Sequence, residues 1–96
     1  MTIIDEPIKN VFLLKATLHR DVRGGFMEYH NNKNFKASTG QEIQFCQDNI
    51  TYSKKGVLRG LHYQLPPYSQ SKLVGVIKGE VLDVIVDIRK GSPTFG

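Results

Sequence analysis

Alternating apolar and polar side chains along the chain predict a protein built mainly from β-strands. The alternation is strictest from Val81 to Ile88, where the even positions are apolar and two of the odd positions are aspartates. A period of two puts successive side chains on opposite faces of a strand, so one face is expected to be core and the other partly polar. Other segments are rich in β-branched and aromatic residues. The predicted strands cover residues 11–17, 43–53, 57–64, 72–78 and 80–88.

Glycine and proline signals separate these segments, as expected for turns between strands. The turn signals are Gly24-Gly25, Lys55-Gly56, Pro66-Pro67 and Lys78-Gly79-Glu80. The only predicted helix is short and covers residues 31–38. Short strands at close spacing with almost no helix indicate an all-β antiparallel sandwich or barrel of the jelly-roll kind. Such folds have about eight strands, so this chain is expected to be incomplete, with an open sheet edge.

The composition is that of an ordinary globular protein and allows one modest core. The chain has 96 residues, 13 Lys and Arg against 9 Asp and Glu, and a net charge of +4. No repeat or linker divides it, so residues 1–96 are expected to form a single domain. The basic residues are scattered rather than massed, which argues against nucleic acid as a partner and favours a smaller anion such as a diphosphate.

Several kinds of site and location are unsupported by the sequence. No run approaches the ~20 apolar residues of a membrane helix, and Asp5 and Glu6 lie where a signal peptide would be basic and then apolar, so a cytoplasmic location is expected. Cys46 is the only cysteine, which excludes an internal disulfide, and it is predicted to be a small core residue. His19 and His30 are predicted to be surface residues, and no metal site is expected.

The segment from Arg59 to Gln64 concentrates polar groups in a predicted strand. His62 shares a strand face with Gln64, whereas Arg59 points to the opposite face. Both can line one cavity only if the strand bends, and Gly60 between them is suited to a bulge. The alternative is structural, with His62 a hydrogen-bonded core histidine and Arg59 a cation at the rim.

Two amides and one lysine form a second set of candidate residues. Gln47 and Asn49 share one face of a predicted strand, an arrangement suited to recognition of a polar ligand. The alternative is an exposed edge strand whose amides are hydrated. Lys72 opens another predicted strand and is either functional or simply solvated.

A third set surrounds the glycine pair at residues 24 and 25. Arg23 precedes the pair and Glu28 follows it. Glycine lets the backbone approach a ligand, and a guanidinium can bind phosphate oxygens with two hydrogen bonds. The alternative is an ion pair within the loop between Arg23 and either Asp21 or Glu28.

Taken in order, these motifs resemble the dTDP-4-dehydrorhamnose 3,5-epimerase family over nearly the whole chain. The motifs are D-x-R-G-x-F-x-E from residue 21, Q-D-N from 47, G-V-L-R-G-L-H-Y-Q from 56, Q-x-K-L-V from 70, G-E-V-x-D-V-x-V-D from 79 and S-P-T-F-G from 92. The resemblance implies a cupin-like jelly roll, a homodimer, no metal or other cofactor, and a dTDP-linked 4-keto-6-deoxyhexose as substrate. It also implies a role in deoxysugar and polysaccharide biosynthesis.

The implied chemistry is removal of a proton next to a ketone and its return on the other face. Such a reaction needs a positioned base and a cation for the enolate oxygen. By the resemblance, His62 is the base, and Lys72 holds the ketone oxygen with Arg59 nearby. Arg23 and Arg59 meet the diphosphate. The nucleotide and cavity are framed by Glu28, Gln47 and Asn49.

The resemblance also implies a chain about twice this length. In the family, the aspartate partner of the histidine and the tyrosine that returns a proton come from the second half of the domain. This chain is therefore expected to be the N-terminal half of a longer enzyme, with a naturally short relative that assembles from two copies as the alternative. The rival functions are a 3-epimerase, a non-catalytic sugar-nucleotide binding module and a purely structural barrel.

Overall fold

Two β-hairpins and one helix make up the regular structure, which a computed structural model describes for all residues from 1 to 96. The elements are β1 Thr2–Ile8, β2 Val11–Lys15, β3 Leu18–Asp21, β4 Gly24–Met27 and α1 Asn32–Thr39. Two compact units are present, Met1–Gln44 and Phe45–Gly96, and all five elements belong to the first.

The first hairpin pairs β1 with β2 in antiparallel register, with Ile8 opposite Val11 at its closed end. Its two-residue turn ends at Asn10, whose φ of 67° is left-handed. Asparagine tolerates this conformation better than most residues, and the Asn10 backbone N–H donates to the Glu6 carboxylate at 2.8 Å. The strand predicted at residues 11–17 is confirmed as β2, whereas β1 was not predicted.

The second hairpin pairs β3 with β4, and Asp21 lies opposite Gly24. The turn consists of residues 22 and 23, so the glycine pair that was predicted as the turn instead begins β4. Gly24 has a φ of 130°, a conformation that L side chains rarely adopt. The hairpin therefore presents Arg23 at its tip.

Helix α1 confirms the prediction of a short helix to within one residue. The Asn31 side chain caps the N-terminus by accepting from the Asn34 backbone N–H at 3.1 Å. Gly40 follows the helix with a φ of 70°, and its N–H donates to the Lys36 carbonyl. Phe35, only 6% exposed, is the one buried apolar residue, and α1 contacts β1.

No strand is present beyond residue 27, so the four strands predicted at residues 43–53, 57–64, 72–78 and 80–88 are wrong for this chain. A strand is held by hydrogen bonds to a neighbouring strand, and residues 45–96 contain no such ladder. The alternating segment leaves apolar side chains in water, with Leu82 91% exposed. The predicted turns at residues 55–56 and 66–67 are present.

The all-β class is confirmed, since every element except α1 is a strand. Neither two-stranded sheet closes into a barrel, in agreement with an incomplete jelly roll. Cys46 is exposed, so its prediction as a core residue is wrong, because the segment that carries it packs against no sheet. No helix in the structure has the length and apolar character required to cross a membrane.

Candidate active site

Arg23 is held at the hairpin tip by Asp21. The Asp21 carboxylate accepts from the Arg23 backbone N–H at 2.9 Å, and the guanidinium donates to both carboxylate oxygens through Nε and Nη2. This ion pair holds the pKa of Asp21 below its usual range and raises the pKa of Arg23. Of the two partners considered for Arg23, Asp21 is the one observed. The Arg23 side chain is nevertheless 87% exposed and accessible to an anion.

Glu28 lies just after β4 and beside the N-terminus of α1. Its Oε1 accepts a hydrogen bond from Asn34 Nδ2 at 2.9 Å, and its Oε2 accepts a longer one from Asn31 Nδ2 at 3.4 Å. The helix carries no acidic residue in its own first turn, so the Glu28 carboxylate is the negative group at its positive end.

Gln47 and Asn49 lie next to each other, although not on a strand as predicted. Gln47 Nε2 donates to Asn49 Oδ1 at 3.1 Å, and both residues are exposed. Each amide has a donor side and an acceptor side, so the pair leaves the Gln47 oxygen and the Asn49 nitrogen for a ligand. The two amides can therefore present one acceptor and one donor at a fixed spacing.

Arg59 is oriented by a serine six residues earlier. The turn at residues 55–56 brings the chain back, and Arg59 Nε donates to Ser53 Oγ at 3.1 Å. Gly56 in this turn has a φ of 83°. The contact uses Nε only, so the Nη groups stay available for a second, bidentate partner.

His62 is exposed, which contradicts the alternative of a core histidine. It lies against Gly60, and a Cβ at residue 60 would be 3.0 Å from His62 Nδ1. Gly60 has a φ of 100°, in the region that favours glycine, but residues 57–64 form no strand, so the predicted strand bulge at Gly60 is absent. Lys72 is also exposed, and no hydrogen bond joins it to His62.

Sequence reasoning missed the most highly connected side chain in the second unit, the Asp87 carboxylate, which is only 2% exposed. Arg89 donates to it through Nε, Nη2 and the backbone N–H at 2.9, 2.9 and 3.0 Å. The hydroxyls of Ser92 and Thr94 donate to Oδ2 at 2.5 and 2.6 Å. The available signal was an aspartate followed by donors two, five and seven residues later.

These donors have an electrostatic consequence for Asp87. The Arg89 guanidinium, followed by the Ser92 and Thr94 hydroxyls, holds the pKa of the Asp87 carboxyl well below its usual range. The Asp87 carbonyl also accepts from the Gly96 N–H at 2.7 Å, so residues 87–96 form a closed loop. The loop is a local structural feature and includes none of the predicted site residues.

The predicted site residues thus fall into separate local groups. Arg23 and Glu28 belong to the first unit, whereas the amides, Arg59, His62 and Lys72 belong to the second. An open depression beside α1 contains none of them; it is lined by Asn32, Lys33, Lys36, Glu42, Ile43 and Gln44. No three His, Cys, Asp or Glu side chains lie together in a way that could hold a metal ion.

Comparison with known proteins gives one consistent family. Residues 5–96 match the family described as dTDP-4-dehydrorhamnose 3,5-epimerase. The whole chain is 53% identical to the protein of that name from Shigella flexneri and 48% identical to the one from Salmonella typhimurium, covering 53% and 52% of their lengths. It is 44% identical to the Methanothermobacter thermautotrophicus protein over 97% of this chain and 49% of that one. The chain therefore spans about half the length of these relatives, and no solved structure matches it.

Proposed function

The chain belongs to the dTDP-4-dehydrorhamnose 3,5-epimerase family, and on this premise we propose that it is part of an isomerase acting on a dTDP-linked 4-keto-6-deoxyhexose. The proposed reaction is epimerisation at C3 and C5 in deoxysugar and polysaccharide biosynthesis. Residues 1–96 are proposed to form the N-terminal half of a single cupin-like jelly-roll domain. The observation that carries the proposal is the match over residues 5–96, which includes every proposed site residue.

The proposed mechanism uses the acidity of the two carbons that flank the C4 ketone. His62 removes the proton from C3 or C5, and the electron pair left on that carbon moves onto the ketone oxygen as an enolate. Lys72, with Arg59 nearby, stabilises the negative charge on that oxygen. Return of a proton to the opposite face of the carbon, with collapse of the enolate to the ketone, inverts the centre.

Substrate binding is proposed to use the locally held side chains. The Arg23 and Arg59 guanidiniums each keep unused N–H groups that suit the diphosphate oxygens. Glu28, Gln47 and Asn49 are proposed to hold the nucleotide through hydrogen bonds. The homodimer and the cytoplasmic location stay predictions.

Deuterium incorporation tests this proposal directly. The full-length protein, of which residues 1–96 are proposed to be the N-terminal half, is incubated with dTDP-4-keto-6-deoxyglucose in heavy water. The C3 and C5 proton signals are followed by NMR. The expected result is loss of both signals, together with His62→Ala losing exchange and keeping dTDP affinity. His19→Ala is the matched control, since His19 is an exposed histidine in β3. Exchange that survives His62→Ala would overturn the role of His62.

A second candidate function is a sugar-nucleotide binding module without catalysis. It is favoured by one observation, namely that Arg23, Glu28 and Arg59 are each held by a neighbouring side chain while no hydrogen bond joins His62 to Lys72. The same NMR experiment separates the two functions. Exchange at C3 alone would indicate a 3-epimerase, and dTDP binding without any exchange would support the module.

A further inference from the structure

The connection between β4 and α1 fixes the conformation of Glu28. Only residues 28–31 separate the end of β4 from the start of α1. Across this short connection, Asn34 Nδ2 donates to Glu28 Oε1 at 2.9 Å, the shorter of the two hydrogen bonds that the carboxylate accepts. The glutamate side chain has three rotatable torsions, so this contact removes freedom that a ligand would otherwise have to restrict.

The Asn34 side chain is not needed to cap the helix. The cap is Asn31, whose Oδ1 accepts from the backbone N–H of Asn34 at 3.1 Å. The Asn34 amide group is therefore separate from the capping interaction, and its Nδ2 is bound to Glu28. A substitution at residue 34 can remove the contact with Glu28 while leaving the capping hydrogen bond and the helix in place.

The two carboxylate oxygens of Glu28 are held unequally. Oε1 is engaged by Asn34 at 2.9 Å, whereas Oε2 has only the 3.4 Å contact with Asn31. A carboxylate oxygen has two lone-pair directions, so Oε2 retains the larger capacity to accept a further hydrogen bond. Glu28 is also exposed, which leaves that oxygen within reach of a ligand.

We propose that Asn34 is a positioning residue that fixes the Glu28 carboxylate so that Oε2 accepts a hydrogen bond from a hydroxyl or ring N–H of the substrate's nucleoside. This inference rests on the proposed function, in which Glu28 holds the nucleotide. It makes Asn34 a determinant of nucleotide affinity, and leaves it without a part in the proton transfers.

The test measures dTDP affinity by calorimetry and steady-state kcat and KM in the full-length protein. Asn34→Ala is expected to raise the dTDP Kd and the substrate KM about three- to tenfold, the effect of releasing one ordered side chain, with kcat unchanged. Asn34→Asp, which has the same shape but repels the carboxylate, is expected to raise both further. Asn34→Gln keeps an amide donor and is expected to restore part of the affinity. Asn32→Ala is the matched control, an asparagine in the same helical turn without a hydrogen bond to Glu28.

A double-mutant cycle separates positioning from a general structural effect. In a Glu28→Ala background, Asn34→Ala is expected to have no further effect on dTDP affinity, and circular dichroism is expected to show unchanged helix content. Wild-type dTDP affinity in Asn34→Ala, or an equal loss in both backgrounds, would overturn the positioning role. A wild-type protein that binds dTDP without C3 or C5 exchange refutes the proposed catalysis alone, since the affinity measurements still decide the role of Asn34. A wild-type protein that fails to bind dTDP overturns both.

Discussion

Nδ1 of His62 lies 3.0 Å from the position that a Cβ on Gly60 would occupy. The backbone nitrogen of His62 is only slightly further from that position, at 3.3 Å. Gly60 also has a φ of 100°, in the region that favours glycine. The missing side chain at residue 60 therefore makes room for the imidazole, and the conformation of Gly60 helps to set where the proposed base lies.

Gly60→Ala is expected to impair proton exchange without impairing nucleotide binding. The added methyl group would contact the His62 ring and displace it by a few tenths of an ångström or more. A base displaced by about 1 Å can cost about 100-fold in rate, so for a displacement of a few tenths of an ångström we expect C3 and C5 deuterium incorporation to slow by roughly three- to tenfold. Calorimetry with dTDP is expected to show unchanged affinity.

Gly56→Ala is the matched control for this substitution. Gly56 has a similar positive φ of 83°, but nothing lies within 4 Å of a Cβ placed there. The two variants therefore share the backbone strain and differ in the contact with His62. Equal losses of exchange in both would show that strain, rather than displacement of the imidazole, causes the defect.

Asp87→Asn is expected to reduce the loss of folding stability that occurs at acidic pH. The folded-state pKa of Asp87 lies well below the unfolded value of about 3.9, so the folded state favours the ionised carboxylate. Its contribution to stability is present above about pH 4 and is lost as the pH falls further towards the folded-state pKa. The wild type should lose stability between about pH 4 and pH 2, and Asp87→Asn should lose less over that interval.

Urea unfolding midpoints at pH 7, 4 and 2 measure this effect, and Asp83→Asn serves as the control. Asp83 is an aspartate of the same segment, but its side chain is exposed. The control is expected to follow the wild-type profile. If the unfolding midpoints of the wild type and Asp87→Asn fall equally between pH 4 and pH 2, the Asp87 carboxylate is not the cause of the lost stability.

Two of the five elements, β2 and α1, were predictable from the sequence because their signals are local. Asn31 and Gly40 mark the two ends of α1, and the helix begins and ends beside them. The second hairpin was missed because its turn lies before the glycine pair rather than on it. The alternation of apolar and polar residues was not enough to predict the strands beyond residue 43. Such a pattern shows that the side chains suit a strand, but a strand also needs a hydrogen-bonded neighbour.

In the candidate site, too, the contacts between near neighbours in sequence are easier to predict than the contacts that depend on the folded geometry. The contact between Asp21 and Arg23 spans two residues and was one of the alternatives that the sequence offered, whereas the equally local hydrogen bond between Gln47 and Asn49 was not predicted. The contact from Asn34 to Glu28 crosses the start of a helix, so it depends on a cap geometry that residue types do not specify. The Asp87 loop begins at the end of the strand predicted at residues 80–88, and a strand pattern does not indicate that the donors at residues 89, 92 and 94 fold back onto one carboxylate.

Asp21→Asn is expected to strengthen dTDP binding modestly. The asparagine oxygen can still accept from the Arg23 backbone N–H, so the turn is retained while the carboxylate that competes for the guanidinium is lost. Removing one negative charge several ångströms from a diphosphate in a high dielectric corresponds to about threefold in affinity. Calorimetry at 50 and 500 mM salt should show the gain at low salt only. Weaker binding at low salt would mean that Asp21 orients Arg23 and does not compete with the ligand.

Ser53→Ala is expected to weaken dTDP binding about threefold, because Arg59 loses the hydroxyl that orders its Nε and must be restrained by the ligand instead. Ser53→Thr keeps a hydroxyl and should retain most of the affinity, and Ser71→Ala, at an exposed serine of the same unit, should retain all of it. In an Arg59→Ala background, Ser53→Ala should have no further effect. An undiminished effect there would show that Ser53 acts on the nucleotide by a route independent of Arg59.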